Sequence, residues 1–161
     1  MSGQIVVLDT GPIRELITYR AVHDLGFASL RAQLQFFSAP SAYSKFTKFL
    51  SSYRRKVTSP SVVVELYHWI RKTDRTGHNR LWSLVHDEFK GMGMEEDLVT
   101  LLEMPLDLVA RCGPADISLL ILAQRHLPSQ PMVVTIEAEL AAECFRARIN
   151  AIQIQEILTQ V

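Results

Sequence analysis

Cysteine is scarce in this chain. Cys112 and Cys144 are the only two and form no C-x-x-C pair, which fits a reduced cytoplasm and leaves structural zinc without its usual ligands. The five histidines, His23, His68, His78, His86 and His126, include no H-x-x-x-H spacing and read as surface or boundary residues. Long apolar runs are missing too: none approaches the ~20 residues needed to span a bilayer. The N-terminus has neither the basic start nor the apolar core of a signal peptide, so the sequence predicts a cytoplasmic protein with no membrane partner. Gly91-Met92-Gly93-Met94 reads as a loop and not a phosphate cradle, because no Gly-Lys-Ser/Thr follows it. No repeat, low-complexity segment or linker divides the chain.

Acidic residues are absent between Asp24 and Glu65, whereas Arg31, Lys45, Lys48, Arg54, Arg55 and Lys56 all fall in that gap. The formal net charge of +0 therefore hides an asymmetry: residues 1–90 carry 13 Lys and Arg against 7 Asp and Glu, and residues 91–161 carry 4 against 10. Such a distribution either guides a polyanion to one part of the surface or forms a solvated face answered by the acidic half. The residues leave both readings open. A chain of 161 residues, 48% hydrophobic and 21% charged, suits one globular domain with a proper core.

What is present starts with Ile5-Val6-Val7-Leu8, four branched apolar residues without alternation. Such a run reads as a strand buried on both faces. It ends in Asp9-Thr10-Gly11-Pro12, which either caps the next helix, with Pro12 in its first turn, or puts a carboxylate where open α/β sheets bind ligands. A helix is expected from Pro12 through Tyr19 or beyond, then a helical composition interrupted at Gly26. Tyr43, Phe46, Phe49, Leu50 and Tyr53 predict a helix over 43–56, with Lys45, Lys48, Ser52 and Lys56 around its other side. That aromatic stripe suits a core better than a platform for stacked bases, and the basic side is a candidate for phosphate contacts.

Ser59 and Pro60 mark a helix start, with Val62, Leu66, Trp69 and Ile70 as its buried stripe and Glu65 at the stripe's edge. Thr73 to Gly77 reads as a polar turn. A helix from about His78 to Lys90 would turn Leu81, Trp82, Val85 and Phe89 inward. Leu98 to Leu102, closed by Pro105, reads as a second parallel strand. Gly113-Pro114 opens a helix that is apolar almost all round except at Ser118, with Asp116 in its first turn. Met132 to Thr135 is another buried strand, followed by a helix that Glu137 and Glu139 begin and that turns Leu140, Ala141 and Cys144 inward. Ala151 to Ile154 is the last strand. Strands alternating with helices predict an α/β fold with a parallel sheet and right-handed crossovers.

Asp9, Asp116 and Glu137 then share one address, the edge where strands end and helices begin, and Glu65 borders the core. Each has a plain explanation as a cap, a helix-dipole partner or a wetted rim. Jointly they point to a shared purpose. Clustered carboxylates repel and partly protonate unless a cation neutralises them. Oxygen ligands without His or Cys favour Mg²⁺ or Mn²⁺ over zinc.

The ordered set Ile5-Val6-Val7-Leu8-Asp9-Thr10-Gly11-Pro12, Ser59-Pro60-Ser61-Val62-Val63-Val64-Glu65, Gly113-Pro114-Ala115-Asp116 and Val133-Val134-Thr135-Ile136-Glu137 with Leu140 resembles the PIN domain family. It spans residues 5 to about 154. The resemblance implies a three-layer Rossmann-like fold, with helices flanking a parallel sheet of four or five strands. It also implies that residues 1–161 form a single domain with an extended helical, basic segment at about 18–57. In function it implies an endoribonuclease of the kind found among VapC-type toxins, dependent on Mg²⁺ or Mn²⁺. Asp9, Glu65, Asp116 and Glu137 would be the acidic metal site, Thr135 the hydroxyl residue beside it, and the products a 5′-phosphate and a 3′-hydroxyl. Lys45, Lys48, Arg54, Arg55 and Lys56 would contact RNA. An antitoxin-like inhibitor and a homodimer are the partners it suggests.

Two features depart from the family pattern. Glu137 stands where Asp is usual, one methylene longer, with Glu139 nearby as a substitute, and the segment between Asp9 and Glu65 is long. Glu137 keeps a second reading open, a PIN-fold interaction module for RNA or protein with weakened or no catalysis. A receiver-like or nucleotide-binding protein fits less well, because the chain lacks a phosphate-binding glycine loop and paired acids after its first strand.

Overall fold

A computed structural model of the protein describes residues 4–75 and 78–160, with only the backbone of residues 78 and 79. Five strands form one all-parallel sheet: β1 (Ile5–Leu8), β2 (Arg55–Thr58), β3 (Met94–Glu96), β4 (Met132–Thr135) and β5 (Asn150–Gln153), in the order β3-β2-β1-β4-β5. The helices are α1 (Thr10–Asp24), α2 (Pro40–Ser51), α3 (Pro60–Thr73), α4 (His78–Met92), α5 (Leu106–Cys112), α6 (Pro114–Arg125), α7 (Ala138–Arg146) and α8 (Ile154–Thr159). Right-handed crossovers put α1 to α4 on one face and α5 to α7 on the other. The packing agrees, since α1 touches α3 and α4 while α6 touches α5, α7, β1 and β4. The fold is the α/β, helix-flanked parallel sheet expected from the sequence. Among the described residues no helix is long and apolar enough to cross a membrane.

β1 is the centre because all four of its residues are buried, which only a strand paired on both sides and covered on both faces requires. Val7 pairs with Val57 on one side and Val133 on the other. The chain runs from β1 outward to β2 and β3, then returns to β4 and β5 beyond β1. The direction therefore reverses between β1 and β4, and their C-terminal ends flank the crevice where such sheets bind ligands.

Four expectations are corrected. The helix predicted over 43–56 ends at Ser51, and Arg55–Thr58 is β2. Val57 and Thr58 are buried beside β1, and that pairing overrides the helical spacing of the aromatics. Leu98 to Leu102 is not a strand. Thr100 and Glu103 cap each other reciprocally and open a 3₁₀ turn at Leu101–Glu103, leaving Leu102 97% exposed. The strand lies instead at Met94–Glu96, so Gly91 and Met92 end α4 and only Gly93, at φ +63°, turns the chain. On α4 the buried residues are Leu81, Leu84 and Val85, while Trp82 faces out. Smaller differences include β5, which runs one residue earlier than expected, and α5, which was not anticipated. Of the polar turn expected at 73–77, Thr76 and Gly77 lie outside the described residues.

Glu15 shows how the long connection after α1 is held. It is buried on α1, and its carboxylate accepts backbone N–H bonds from Gln35 (2.9 Å), Phe36 (3.1 Å) and Phe37 (3.2 Å). Three donors satisfy a charge that burial would otherwise penalise heavily, and they seat Phe37 against Phe46 and Tyr43. Glu15→Ala strands those N–H groups and is expected to cost about 3 kcal/mol in urea denaturation. Unchanged stability would show that residues 35–37 hold themselves in place.

Candidate functional site

Asp9 follows β1 directly, and its backbone N–H extends the ladder by bonding Val134 O at 3.1 Å. Its side chain is also the N-cap of α1, with Oδ1 accepting from Thr10 N at 2.6 Å. Capping and a place at the strand tip are thus one arrangement. The other oxygen, Oδ2, accepts the Thr135 hydroxyl from the end of β4 at 2.6 Å. Thr135 Oγ1 in turn accepts from Glu137 N at 2.9 Å, tying Asp9 to the entry of α7. On the other side, Thr10 Oγ1 donates to Glu65 Oε2 at 2.5 Å. A hydroxyl relay therefore links Glu65, Asp9 and the backbone of Glu137 across three chain segments. Gly11 permits it: a Cβ there would lie 2.5 Å from Ile136 Cγ1, so only glycine lets the start of α1 lie against the β4–α7 turn without displacing it.

Asp116 arrives on α6. Gly113, at φ +86°, ends α5 and turns the chain, and Pro114 starts α6. Two residues after Asp116, buried Ser118 meets Ser59 Oγ at 2.6 Å and also donates to Ala115 O at 2.6 Å. Ser59 is the N-cap of α3, so this clasp pins the N-termini of α3 and α6 side by side. Ser118 had a visible signal in the sequence, the one polar residue in an apolar helix, but its partner could not be read there.

The acids feel one another. Burial, with Asp9 only 3% exposed, pushes its carboxyl up to about 6; the bonds from Thr135 and Thr10 pull it down, and the charges of Glu137 and Glu65 push it up. Asp116 is pushed up to about 7, first by burial and then by Asp9, Glu137, Glu65 and Glu139. Desolvation and like charge both disfavour the ionised form. Cys144, on the inner face of α7, is pushed up to about 12 by burial and then by Asp116 and Asp9. Its thiol stays protonated at neutral pH, so it is a neighbour of the site and no thiolate ligand.

The structure brings Asp9, Thr135, Glu65, Asp116 and Glu137 to the C-terminal edge of the sheet, with Asp9 and Thr135 buried and Glu65 and Glu137 exposed. Glu139 is exposed on the first turn of α7. The basic residues lie elsewhere. Arg55 and Lys56 begin β2, and the backbone N–H of Arg54 bonds Gln4 O, at the opposite edge of the sheet. Lys48 sits in the last turn of α2, which leads into that edge. Three of the five are engaged: Lys45 with Leu158 O (3.2 Å), Arg55 with Glu95 (2.6 Å) and Lys56 with Tyr53 O (2.9 Å).

Among the described residues, no three His, Cys, Asp or Glu side chains are already drawn together as a metal-binding group. The oxygens of Asp9 and one of Glu65 are turned toward hydrogen-bond donors. The side chains gathered at this edge are nonetheless of one chemical kind, carboxylates and hydroxyls, with the nearby thiol protonated. That set fits a hard divalent cation such as Mg²⁺ or Mn²⁺.

Asp9 and Asp116 hold protons more tightly in the folded chain than in the unfolded one. Their contribution to stability is therefore full below about pH 4 and is lost as pH rises through 6 and 7. In EDTA, Asp9→Asn is expected to exceed wild type by about 1–3 kcal/mol at pH 8 and to match it near pH 4. Equal stability at both pH values in urea denaturation would show that the carboxylates do not strain the site. No protein-family model matches this chain, and no curated protein does.

Proposed function

We propose that this protein is a Mg²⁺- or Mn²⁺-dependent endoribonuclease of the PIN type, hydrolysing RNA phosphodiesters at the crevice between β1 and β4. The observation that carries this reading is the convergence of Asp9, Glu65, Asp116 and Glu137 from four separate segments on the switch point of the sheet. Acids arranged to repel one another there are costly to the fold, and a bound divalent cation offsets that cost.

In this reading Asp9 and Asp116 are the inner ligands, and Glu65 and Glu137 reach in from the exposed rim. The cation, when bound, supplies charge neutralisation at the phosphodiester and activation of the attacking water. The protein's own part is positioning. Thr135 and the Thr10 backbone N–H each hold one oxygen of Asp9, which fixes the carboxylate at the end of β1. The Thr10 hydroxyl holds one oxygen of Glu65. Glu65 and Glu137, exposed and on separate elements, can swing to meet the cation, and the extra methylene of Glu137 gives it reach from the start of α7. The family resemblance adds an antitoxin-like inhibitor, a homodimer and a cytoplasmic setting to this reading.

Purified protein incubated with single-stranded RNA is expected to cleave it with Mn²⁺ and not with EDTA, and Mn²⁺ is expected to raise the melting temperature of wild type. Asp9→Asn and Asp116→Asn should each lower cleavage at least about a hundredfold while remaining folded. Thr135→Val keeps the shape and removes the hydroxyl, and should cost about tenfold to a hundredfold. If wild type and Asp9→Asn show the same trace activity, the alternative of an interaction module without catalysis replaces this one.

A further inference from the structure

A phosphodiester strand needs cations near a site made of carboxylates, and the basic residues of 45–56 stand at the wrong edge of the sheet. α3 offers others. Glu65 lies in its second turn, and toward its C-terminal end the helix borders a cleft of about 970 Å³ shared with the start of α4. Tyr67, His68, Arg71, Lys72, Arg75 and Trp82 line it. Among the described lining residues Arg71, Lys72 and Arg75 outnumber the acid Asp74.

Two aromatic rings are displayed in this cleft instead of being packed in the core. Tyr67 is 44% and Trp82 38% exposed, and their rings meet edge to face with centroids 6.1 Å apart. The core positions on these two helices are taken by Leu66, Ile70, Leu81 and Leu84, so neither ring is needed to fill it. The Arg71 guanidinium lies 5.8 Å over the Tyr67 ring. Exposed aromatic faces interleaved with Arg and Lys are the chemistry that holds single strands, rings stacking on bases and cations tracking phosphates.

Helix geometry connects the cleft to the carboxylates. His68, Trp69 and Lys72 lie three, four and seven residues beyond Glu65 and so share its face. At 1.5 Å per residue, Lys72 is about 10 Å along the axis from Glu65. Arg14, from α1, stacks over Trp69 at 5.3 Å, adding a cation midway. One helix thus carries an acid at the crevice and a row of aromatic and cationic groups leading away from it.

We propose that the α3–α4 cleft binds single-stranded nucleic acid, with Tyr67 and Trp82 under bases and Arg71, Lys72 and Arg75 on phosphates, and that the strand runs along α3 to the carboxylates. Only the destination of the strand rests on the nuclease reading. Binding is measured in EDTA, where cleavage plays no part.

The test is fluorescence anisotropy of a short labelled RNA, and of DNA of the same sequence, titrated with the full chain across a range of salt. Replacing Arg71, Lys72 and Arg75 together by Ala is expected to weaken binding at least tenfold and to flatten the log–log salt slope by about 2. Trp82→Ala should weaken binding about tenfold and Trp82→Phe should restore most of it. Lys45→Ala with Lys48→Ala should leave affinity and slope unchanged. Binding of either RNA or DNA with this pattern supports the cleft. Wild-type affinity in the triple variant, loss of binding through Lys45 and Lys48 instead, or equal competition by polyglutamate overturns it. Intact binding without metal-dependent cleavage would remove the nuclease reading and leave the cleft standing, and cleavage with binding untouched by the triple variant would do the reverse.

Discussion

The carboxylate of Asp9 sits at the tip of the central strand with almost no contact with solvent, and much of the C-terminal edge of the sheet is arranged around keeping it there. A buried carboxylate costs several kcal/mol unless its oxygens are met by donors. Here the donors come from the next residue and from the end of the neighbouring strand, Thr10 N and Thr135 Oγ1. Both need the chain in one place: α1 must start at once, and β4 must lie in register beside β1. Gly11 lets α1 begin close against Ile136, and the Thr135 hydroxyl also fixes the first turn toward α7. The Ser59–Ser118 clasp brings α3 and α6 to the same edge. Satisfying one charge thus fixes the starts of α1 and α7, and the serine clasp sets those of α3 and α6 beside them.

That satisfaction is incomplete, and the remainder bears on function. Asp116 enters the same crevice without a comparable set of donors, and it is pushed toward neutrality by burial and by its acidic neighbours. A fold selected for stability alone would neutralise one of these positions. In the nuclease reading proposed above, retaining them gives up stability for the capacity to gain a cation, the usual direction of the trade between stability and activity at polar sites. α3 in turn holds an acid, Glu65, in its second turn and cations, Arg71 and Lys72, in its last.

Legibility followed burial. β1 and β4 were readable residue for residue because strands covered on both faces are uninterrupted apolar runs, and Ser59-Pro60 was readable because capping is a local matter. β2 was hidden behind Arg55 and Lys56, whose side chains reach Glu95 and a backbone carbonyl at the sheet's rim. β3, short and charged at the sheet edge, looks like a loop for the reason edge strands generally do. Leu98, Leu101 and Leu102 misled in the opposite sense, being apolar yet exposed. Trp82 failed similarly: its helical phase sits beside the buried stripe of Leu81, Leu84 and Val85, yet it stays 38% exposed.

From the residues alone came the α/β class, the parallel sheet, the central strand, three acids placed at strand ends or helix starts and Glu65 beside a buried stripe, because each depends on local pattern or on burial that composition records. Which side chains actually meet depended on the fold. Thr135 bonding Asp9 spans 126 positions, and Ser59 meeting Ser118 spans 59. The separation of the basic 45–56 residues from the carboxylates, and the pairing of Tyr67 with Trp82 in a cationic cleft, follow from strand order and helix phase. Periodicity fixes a residue's face on its own element, but the partner across the gap is chosen by how the sheet is wound.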